Sequence, residues 1–247
     1  MPLRSITALV ALSAVSAGSA TAQQAGGFSY GLMGYASDSA YVGDGSGPRV
    51  WPLLRYESPT FSIGTDGLRL TLTDRAPVRI EGVMSPRFTG LSDPDAPELA
   101  GIDRDITADV GVTLRYSLGT GTALTATVLQ EVTGQHDGQE VRLGGQARLG
   151  AGPVPLTFGA GVSWKSEELT NYLYGVGADE TASGRPAYTP GDSLTPYISI
   201  SGGMPVGQSI AVIGGMRADF LDDAAKDSPI VEGDLAVSGR VGVVFQF

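Results

Sequence analysis

Alternation of apolar and polar residues over long segments is the feature that most limits what this chain can fold into. From Ile106 to Leu118 every second residue is apolar, and the residues between them are polar or glycine. The same pattern recurs over 141–149, 154–164 and 210–216. A period of two residues is typical of β-strands with one apolar face. Such strands fit two folds, a soluble β-sandwich and an outer-membrane β-barrel whose apolar face meets lipid.

The lengths of the strands and of their connections favour the barrel. Several alternating segments run to about 11–14 residues, whereas strands of soluble proteins cluster near 5–6 and a tilted strand needs about 9–11 to cross a bilayer. Short connections near 119–121, 150–153 and 205–207 alternate with long polar segments near 37–48, 88–104, 166–192 and 221–234. Short turns at one end and long loops at the other are typical of outer-membrane barrels.

The carboxyl terminus gives a third indication. The chain ends VSGRVGVVFQF, in which Val243, Phe245 and Phe247 share the apolar face and Arg240 lies on the other. A last strand that ends in Phe resembles the segment that the barrel-assembly machinery recognises in outer-membrane proteins. Pairing of this strand with the first one would leave no exposed edge. We therefore expect Phe247 at the periplasmic interface and Arg240 in the lumen.

These patterns predict an all-β fold, a transmembrane antiparallel barrel of twelve strands with both termini on the periplasmic side. Without the two short segments 59–64 and 67–73 the alternative is ten strands. We place the strands at 28–36, 49–57, 59–64, 67–73, 78–87, 105–118, 121–134, 138–150, 154–165, 193–204, 207–220 and 235–247.

The amino terminus predicts export. Arg4 precedes an apolar run from Ile6 to Val15, and Ala20-Thr21-Ala22 fits a cleavage site for signal peptidase. We expect residues 1–22 to form a cleavable signal peptide and residues 23–247 to form the barrel, located in the outer membrane of a Gram-negative bacterium. The chain has no cysteine, so neither a lipid-modified cysteine nor a disulfide is available.

Charge is distributed unevenly between the strands and the loops. With 26 acidic and 16 basic residues the chain is acidic, which argues against nucleic acid as a partner. Alternation predicts an inward-facing charged set: Arg55, Glu57, Arg69, Arg79, Glu81, Asp109, Arg115, Glu140, Arg142, Arg148, Lys165, Arg217, Asp219 and Arg240. This set fits a paired network that fills a narrow lumen, or a pore with a weak preference for anions. The carboxylates of the long loops fit simple solvation or a divalent-cation site.

Few residues suggest catalysis. His136, the only histidine, lies in the tight segment 134–138, and no serine stands at a spacing that would form a nucleophile–base pair with it. The residue pattern therefore disfavours an outer-membrane hydrolase or phospholipase. Aromatic residues near strand ends, including Trp51 and Trp164, fit the girdles that mark membrane interfaces.

Several stretches carry a family likeness over nearly the whole mature chain. They are PLLRYE at 52–57, YLYGV at 172–176, SGRPAYTPG at 183–191, DDAAKDSPIV at 222–231 and SGRVGV at 238–243. With these stretches the chain resembles the MltA-interacting protein (MipA/OmpV) family of Gram-negative outer-membrane proteins.

The resemblance implies a barrel without an enzymatic role. The family is named for a scaffold that links a lytic murein transglycosylase to a bifunctional penicillin-binding protein, and other members are associated with osmotic response, adhesion and antibiotic susceptibility. It implies no catalytic residue and no cofactor. The partners it implies are outer-membrane lipid and lipopolysaccharide, the barrel-assembly machinery, a murein hydrolase and a penicillin-binding protein. A small diffusion channel and an adhesin that binds through the acidic loops are the alternative functions.

Overall fold

The computed structural model describes residues 26–247, except 39, 44–47, 92, 93, 95 and 151–153. The segment 1–22, for which the sequence predicts a signal peptide, lies outside the described residues. Aspartates 93 and 95, two of the loop carboxylates considered above, also lie outside them.

Twelve antiparallel strands close into one barrel, as the alternation predicts, and the ten-strand alternative is wrong. The strands are β1 (Gly27–Asp38), β2 (Arg49–Glu57), β3 (Phe61–Gly64), β4 (Gly67–Arg75), β5 (Val78–Arg87), β6 (Thr107–Gly119), β7 (Thr122–Glu131), β8 (Gln139–Leu149), β9 (Leu156–Lys165), β10 (Ser193–Pro205), β11 (Ile210–Phe220) and β12 (Leu235–Gln246). Each strand pairs with its neighbours in sequence, and β1 pairs with β12. Two helices, α1 (Glu167–Tyr174) and α2 (Asp223–Lys226), lie in the long loops.

The two faces of the barrel wall differ as the period of two requires. On β6 the outward residues Val110, Val112 and Leu114 are exposed, whereas the inward Asp109 is buried and Arg115 is half-buried. Large apolar side chains are exposed in the same way around the barrel. So much exposed apolar surface is stable only in contact with lipid, and the wall is therefore a transmembrane surface.

Among the residues that the structure describes, no helix combines the length and the apolar character that crossing a membrane requires.

Aromatic stacking reinforces the seam between the first and last strands. The ring of Tyr30 stacks on Phe245 and Phe247, with centroid distances of 5.3 and 5.5 Å. The backbone N–H of Phe247 donates to the carbonyl oxygen of Phe28 at 3.1 Å. The terminal residue thus extends the ladder that closes the barrel, at the end where β1 begins and β12 ends.

We expect Phe247→Ala to reduce assembly. The change removes a stacked contact worth about 0.5–1.5 kcal/mol at the closing seam, together with the terminal aromatic that marks the last strand. The fraction of protein that migrates faster before boiling, in a heat-modifiability gel of outer-membrane fractions, should fall severalfold. Phe158→Ala, which removes an equally lipid-facing ring from β9 far from the seam, is the matched control and should assemble normally. Equal losses in the two variants would show that the terminal position has no special role.

The long loops fold together into a cap over the outer end of the barrel. We use "the cap" for the described residues of 40–43, 88–106, 166–192 and 221–234. Its buried apolar core is formed by Ala40, Tyr41, Leu91, Leu99, Ile102, Val176, Leu221, Ala225, Ile230 and Val231. Because four separate loops contribute to one core, the outer mouth is closed by packed side chains rather than by one inserted loop.

Candidate functional site

A buried charge cluster lies in the lumen directly beneath the cap. It consists of Arg87, Asp109, Glu140, Arg142 and Lys165, which adjacent strands from β5 to β9 bring together at their outer ends. We call these five residues the outer cluster. Asp109, Glu140 and Lys165 are buried, and ion pairs join Arg87 and Arg142 to the two carboxylates.

Glu140 is the centre of the outer cluster. Its carboxylate accepts two hydrogen bonds from Arg142 and one from Arg87, all at 2.7 Å, and it also accepts from the hydroxyl of Ser163. Arg87 forms a second ion pair with Asp109 at 2.7 Å. Lys165 donates to the hydroxyl of Thr195 at 2.7 Å. Such bidentate, charge-assisted contacts fix the geometry of the side chains as well as neutralising their charge.

Further ion pairs line the lumen below this level. Asp66, in the β3–β4 turn, pairs with Arg55 and with Arg69. Arg217 binds Asp219 through two hydrogen bonds of 2.6 and 2.8 Å, and its guanidinium lies 3.7 Å from the ring centroid of Tyr197. These pairs stand in a wide part of the lumen rather than filling it.

Three of the predicted arginines differ from this pattern. Arg115 lies directly opposite Arg79 in the β5–β6 ladder. When the Gln146 amide is oriented with its oxygen toward Arg115, this oxygen accepts from the guanidinium at 2.7 and 2.8 Å. Arg148 is exposed near the inner end of the barrel, where the short turns lie. Arg240 lies on the inward face of β12, opposite Tyr35 of β1.

Arg79 and Glu57 complete the predicted inward-facing set. Arg79 pairs with Glu81 at 2.9 Å and with Asp74 at 3.4 Å. Glu57, at the inner end of β2, pairs loosely with Arg55 at 3.5 Å. The predicted charges thus divide between the buried outer cluster and a wider inner region of the lumen.

A cavity of about 660 Å³ occupies this inner region. Its charged lining consists of Arg55, Arg69, Arg79, Arg115, Arg142 and Arg217 with the acidic residues Glu57, Asp66 and Glu81. The β2–β3 turn at the inner end, Ser58 and Pro59, also belongs to the lining. The lumen is therefore hollow and basic toward the periplasmic end and packed toward the outer end.

Sequence reasoning missed several residues of the lumen. Arg87 lies on the same face of β5 as Arg79, Glu81 and Ser85. Strict alternation would therefore have placed it in the inward-facing set. Asp66 lies in a turn, where alternation has no meaning. Trp51, expected in a lipid-facing girdle, lies on the same face of β2 as Arg55 and packs edge-to-face on Phe88, with ring centroids 6.0 Å apart.

Two arginines hold the cap together. Arg185, from the stretch SGRPAYTPG, is buried and donates to the carbonyl oxygens of Glu98, Ala100 and Glu180 at 2.6–2.9 Å. Arg104 donates to the carbonyl oxygens of Tyr172 and Gly175 and pairs with the Glu180 carboxylate. The hydrogen bonds from Arg104 hold the pKa of Glu180 below its usual value. Two separate loops are thus joined through backbone carbonyls that accept hydrogen bonds from these two arginines.

The segment 132–138 is organised around a carboxylate and the single histidine. Glu131 accepts from the backbone N–H groups of Gln135, His136 and Asp137 at 3.0–3.3 Å. The ring of His136 packs on Tyr172, and its Nδ1 accepts from the N–H of Gly138 at 3.0 Å. Its Nε2 is buried without a hydrogen-bond partner among the described residues. Burial and the nearby Arg87 charge lower the pKa of His136, and together they outweigh the opposing effect of the Glu131, Asp109 and Asp137 carboxylates.

This histidine predicts that the segment 132–138 loosens in mild acid. Because the folded pKa lies below the ordinary value of 6.5, the contribution of neutral His136 to stability is full above 6.5 and is lost as the pH falls toward the folded pKa. Hydrogen exchange of the amides of 132–138, corrected for intrinsic rates, should rise severalfold between about pH 7.5 and about pH 5.5. His136→Gln should remove this dependence. An unchanged pH profile in the variant would mean that other groups control the loop.

The loop carboxylates do not converge. Among the described residues, no group of three or more histidine, cysteine or acidic side chains is placed to hold a metal ion. The Glu180 carboxylate accepts a hydrogen bond from Arg104, and Asp222 accepts one from the backbone N–H of Leu194 at 2.6 Å. Both acidic side chains therefore serve the cap.

A closed barrel with an apolar outer surface, a charged lumen, and a first and a last strand that pair with each other defines an outer-membrane β-barrel, and this chain is one. The family model described as "MltA-interacting protein MipA" matches residues 30–247. The chain belongs to this family.

The chain is also similar to individual named proteins. YiaT of Escherichia coli (strain K12), a protein named for the outer membrane, is 27% identical over 248 residues, which cover 99% of this chain and 98% of the relative. The MltA-interacting protein of the same strain is 35% identical over 97 residues, 39% of each chain. Among solved structures, an outer membrane channel from Pseudomonas putida F1 aligns with a TM-score of 0.45 and 14% identity, covering 90% of this chain and 94% of that one.

Proposed function

We propose that this chain is a non-enzymatic scaffold, closed toward the exterior, that presents its inner end to murein enzymes in the periplasm. The observation that carries the proposal is the cap, in which four loops share a buried core above the packed outer cluster. In such a barrel the long loops cover the outer end instead of forming an open entrance for solutes. The surface left for partners in the aqueous phase is the ring of short turns.

The state of the single histidine supports a role without catalysis. The ring of His136 packs on Tyr172, and its Nδ1 accepts a hydrogen bond from the N–H of Gly138. Its Nε2 is buried. A general base must reach the proton that it removes. The histidine of this chain instead serves the packing of the cap.

The murein partner is proposed from the family. A relative carries the name MltA-interacting protein, and its similarity covers 39% of this chain. Outer-membrane lipid and lipopolysaccharide would contact the apolar wall, and the barrel-assembly machinery would recognise the last strand. The exposed arginines Arg75 and Arg148 lie at the inner end, where they could contact an acidic surface of a periplasmic enzyme.

Binding of a purified lytic transglycosylase of the MltA class to the barrel in nanodiscs tests the scaffold. We expect saturable binding that weakens at least tenfold in a variant carrying Arg75→Glu and Arg148→Glu. Lys226→Glu, a charge reversal on the cap at the other end, is the matched control and should bind like the unmodified protein. No binding, or equal losses in both variants, would overturn the proposal.

A weakly anion-preferring channel is the second candidate, and the excess of arginine in the cavity favours it. Planar-bilayer recordings separate the two functions. A silent bilayer with correctly folded protein supports the scaffold. Stepwise openings with a preference for chloride over potassium would support the channel and would show that the cap opens.

A further inference from the structure

The barrel wall is incomplete on one side. β3 has only four residues and pairs with Arg55–Glu57 of β2, and the pairing of β4 with β5 begins at Leu68 and Met84. Within the described part of the chain, Arg49–Leu53 of β2 and Ser85–Arg87 of β5 therefore have a strand neighbour on one side only. We call the gap between these two edges the lateral notch. It lies toward the outer end of the barrel, because β2 begins and β5 ends there.

The sequence builds this gap locally. Pro52 and Pro86 stand on its two edges, and a proline, which lacks an N–H, is tolerated in a sheet where no neighbour needs a donor. Beneath the gap the β3–β4 turn is fixed by a hydrogen bond from the N–H of Thr65 to the carbonyl of Leu54 at 3.0 Å. Gly67 follows with a φ of +114°, and a Cβ there would meet the carbonyl oxygen of Met84 at 2.1 Å. The turn can therefore approach β5 only with glycine at this position.

The lumen cavity extends to the lateral notch. Its lining includes Leu68, Met84 and Pro86, which lie on the outward face of their strands beside the gap, together with the inward Val83 and Ser85. Residues from both faces of β5 therefore line the cavity on the side of the gap that β5 forms. The ring pair of Trp51 and Phe88 bounds the gap toward the cap. An opening at the lateral notch would connect this cavity with the surrounding lipid.

The charge of the cavity indicates what would enter it. Its lining contains twice as many arginines as carboxylates. Arg79 and Arg115 stand directly opposite each other, an arrangement of like charges that costs stability unless an anion or a carboxylate lies between them. Arg79 forms ion pairs with Glu81 and Asp74. Within the described residues, the partner of Arg115 is only the neutral amide of Gln146. Arg115 is thus the arginine of the cavity best able to bind an anion.

We propose that the lateral notch admits a single-chain anionic amphiphile from the outer leaflet, with its headgroup between Arg79 and Arg115. Six residues separate Arg79 from Ser85 on β5, so the headgroup site lies about 20 Å along the strand from the notch. A long alkyl chain spans this distance and leaves the barrel past the apolar rim of Leu68, Met84 and Pro86. The inference goes beyond the scaffold and does not depend on it.

Tryptophan quenching by dibromostearate tests this directly. Trp164→Phe leaves Trp51, at the edge of the notch, as the only tryptophan. In phosphatidylcholine nanodiscs, we expect saturable quenching of Trp51 by dibromostearate and only the linear, unsaturable quenching of bulk lipid by its uncharged methyl ester. In the same background, Arg115→Gln should weaken saturable binding at least tenfold. Arg148→Gln, an inward-face arginine outside the cavity lining, is the matched control and should leave it unchanged.

Heat-modifiability gels confirm that each variant is folded, and Arg79→Gln serves in place of Arg115→Gln if that variant does not assemble. Linear quenching by both probes would overturn the proposal, because it would show contact with bulk lipid alone. Equal binding in the Arg115→Gln and Arg148→Gln variants would overturn the assigned headgroup site. Either failure leaves the transglycosylase binding experiment unaffected, so the two proposals fail separately.

Discussion

Replacing Glu140 by alanine is expected to lower the free energy of unfolding of the barrel by roughly 3–5 kcal/mol. The carboxylate holds Arg87 and Arg142 at 2.7 Å, and its side chain is only 4% exposed. Removal leaves two guanidinium groups in the lumen without their shared counter-charge, and a buried charge that loses its partner is far more costly than the pair itself was favourable. Asp109 retains one contact with Arg87 but cannot reach both cations without rearrangement.

Denaturant unfolding in detergent micelles, followed by tryptophan fluorescence and heat-modifiability gels, measures this loss. Glu57→Ala is the matched control, because Glu57 also pairs with a lumen arginine but its side chain is 61% exposed. A pair as exposed as this contributes about 0–1 kcal/mol. Glu140→Gln keeps the shape and removes the charge, and should fall near the alanine variant. A Glu140→Ala variant as stable as Glu57→Ala would mean that water solvates the outer cluster.

Replacing Arg185 by alanine is expected to release the cap and leave the barrel intact. Its guanidinium is the donor for the carbonyls of Glu98, Ala100 and Glu180 in a buried site. Hydrogen bonds from charged groups contribute about 1.5–3 kcal/mol each, and the abandoned carbonyls lose their partners. A net local loss of about 3 kcal/mol would make cap opening roughly a hundredfold more frequent. The strand ladders do not depend on these contacts and should keep their stability.

Hydrogen exchange resolved to the cap and the strands measures both parts of this expectation. The amides of 98–102 and 176–180 should lose protection, and those of β6 and β11 should keep it. Lys226→Ala, which removes an exposed cap ion pair with Asp223, is the matched control and should change little. If Arg185→Ala exchanged like Lys226→Ala, the cap would be held by its apolar core alone.

The strand count could be predicted from the sequence because lipid and lumen impose opposite demands on successive residues. Each residue of a transmembrane strand faces either lipid or lumen. The period of two therefore persists along β6 and along β8 through β12. Strand ends were less certain because turns relax this demand. β7 ends at Glu131 rather than at 134. The carboxylate of Glu131 accepts hydrogen bonds from backbone N–H groups of the following loop, including that of Asp137. β11 begins at Ile210 rather than at 207.

The cap could not be predicted in the same way. Leu99, Ile102 and Ile230 are isolated apolar residues in acidic loops, without a period that would assign them to a face. They become a core only when four loops meet, which depends on the barrel beneath them. The stretch SGRPAYTPG indicated the family, and the structure gives it a physical role through Arg185. The lateral notch could not be predicted, because the prolines on its edges are the sole sign that unpaired strand edges give in a single sequence.

Accessibility of the lumen from outside the cell tests the closed cap most directly. The chain has no cysteine, so single cysteines report without background. Ser199→Cys places a thiol in the cavity, and Asp223→Cys places one on the cap, where the side chain is 89% exposed. In intact cells a membrane-impermeant maleimide should label the Asp223→Cys variant and leave the Ser199→Cys variant unlabelled until the outer membrane is permeabilised. Labelling of both at similar rates in intact cells would show an open outer mouth and contradict the capped barrel.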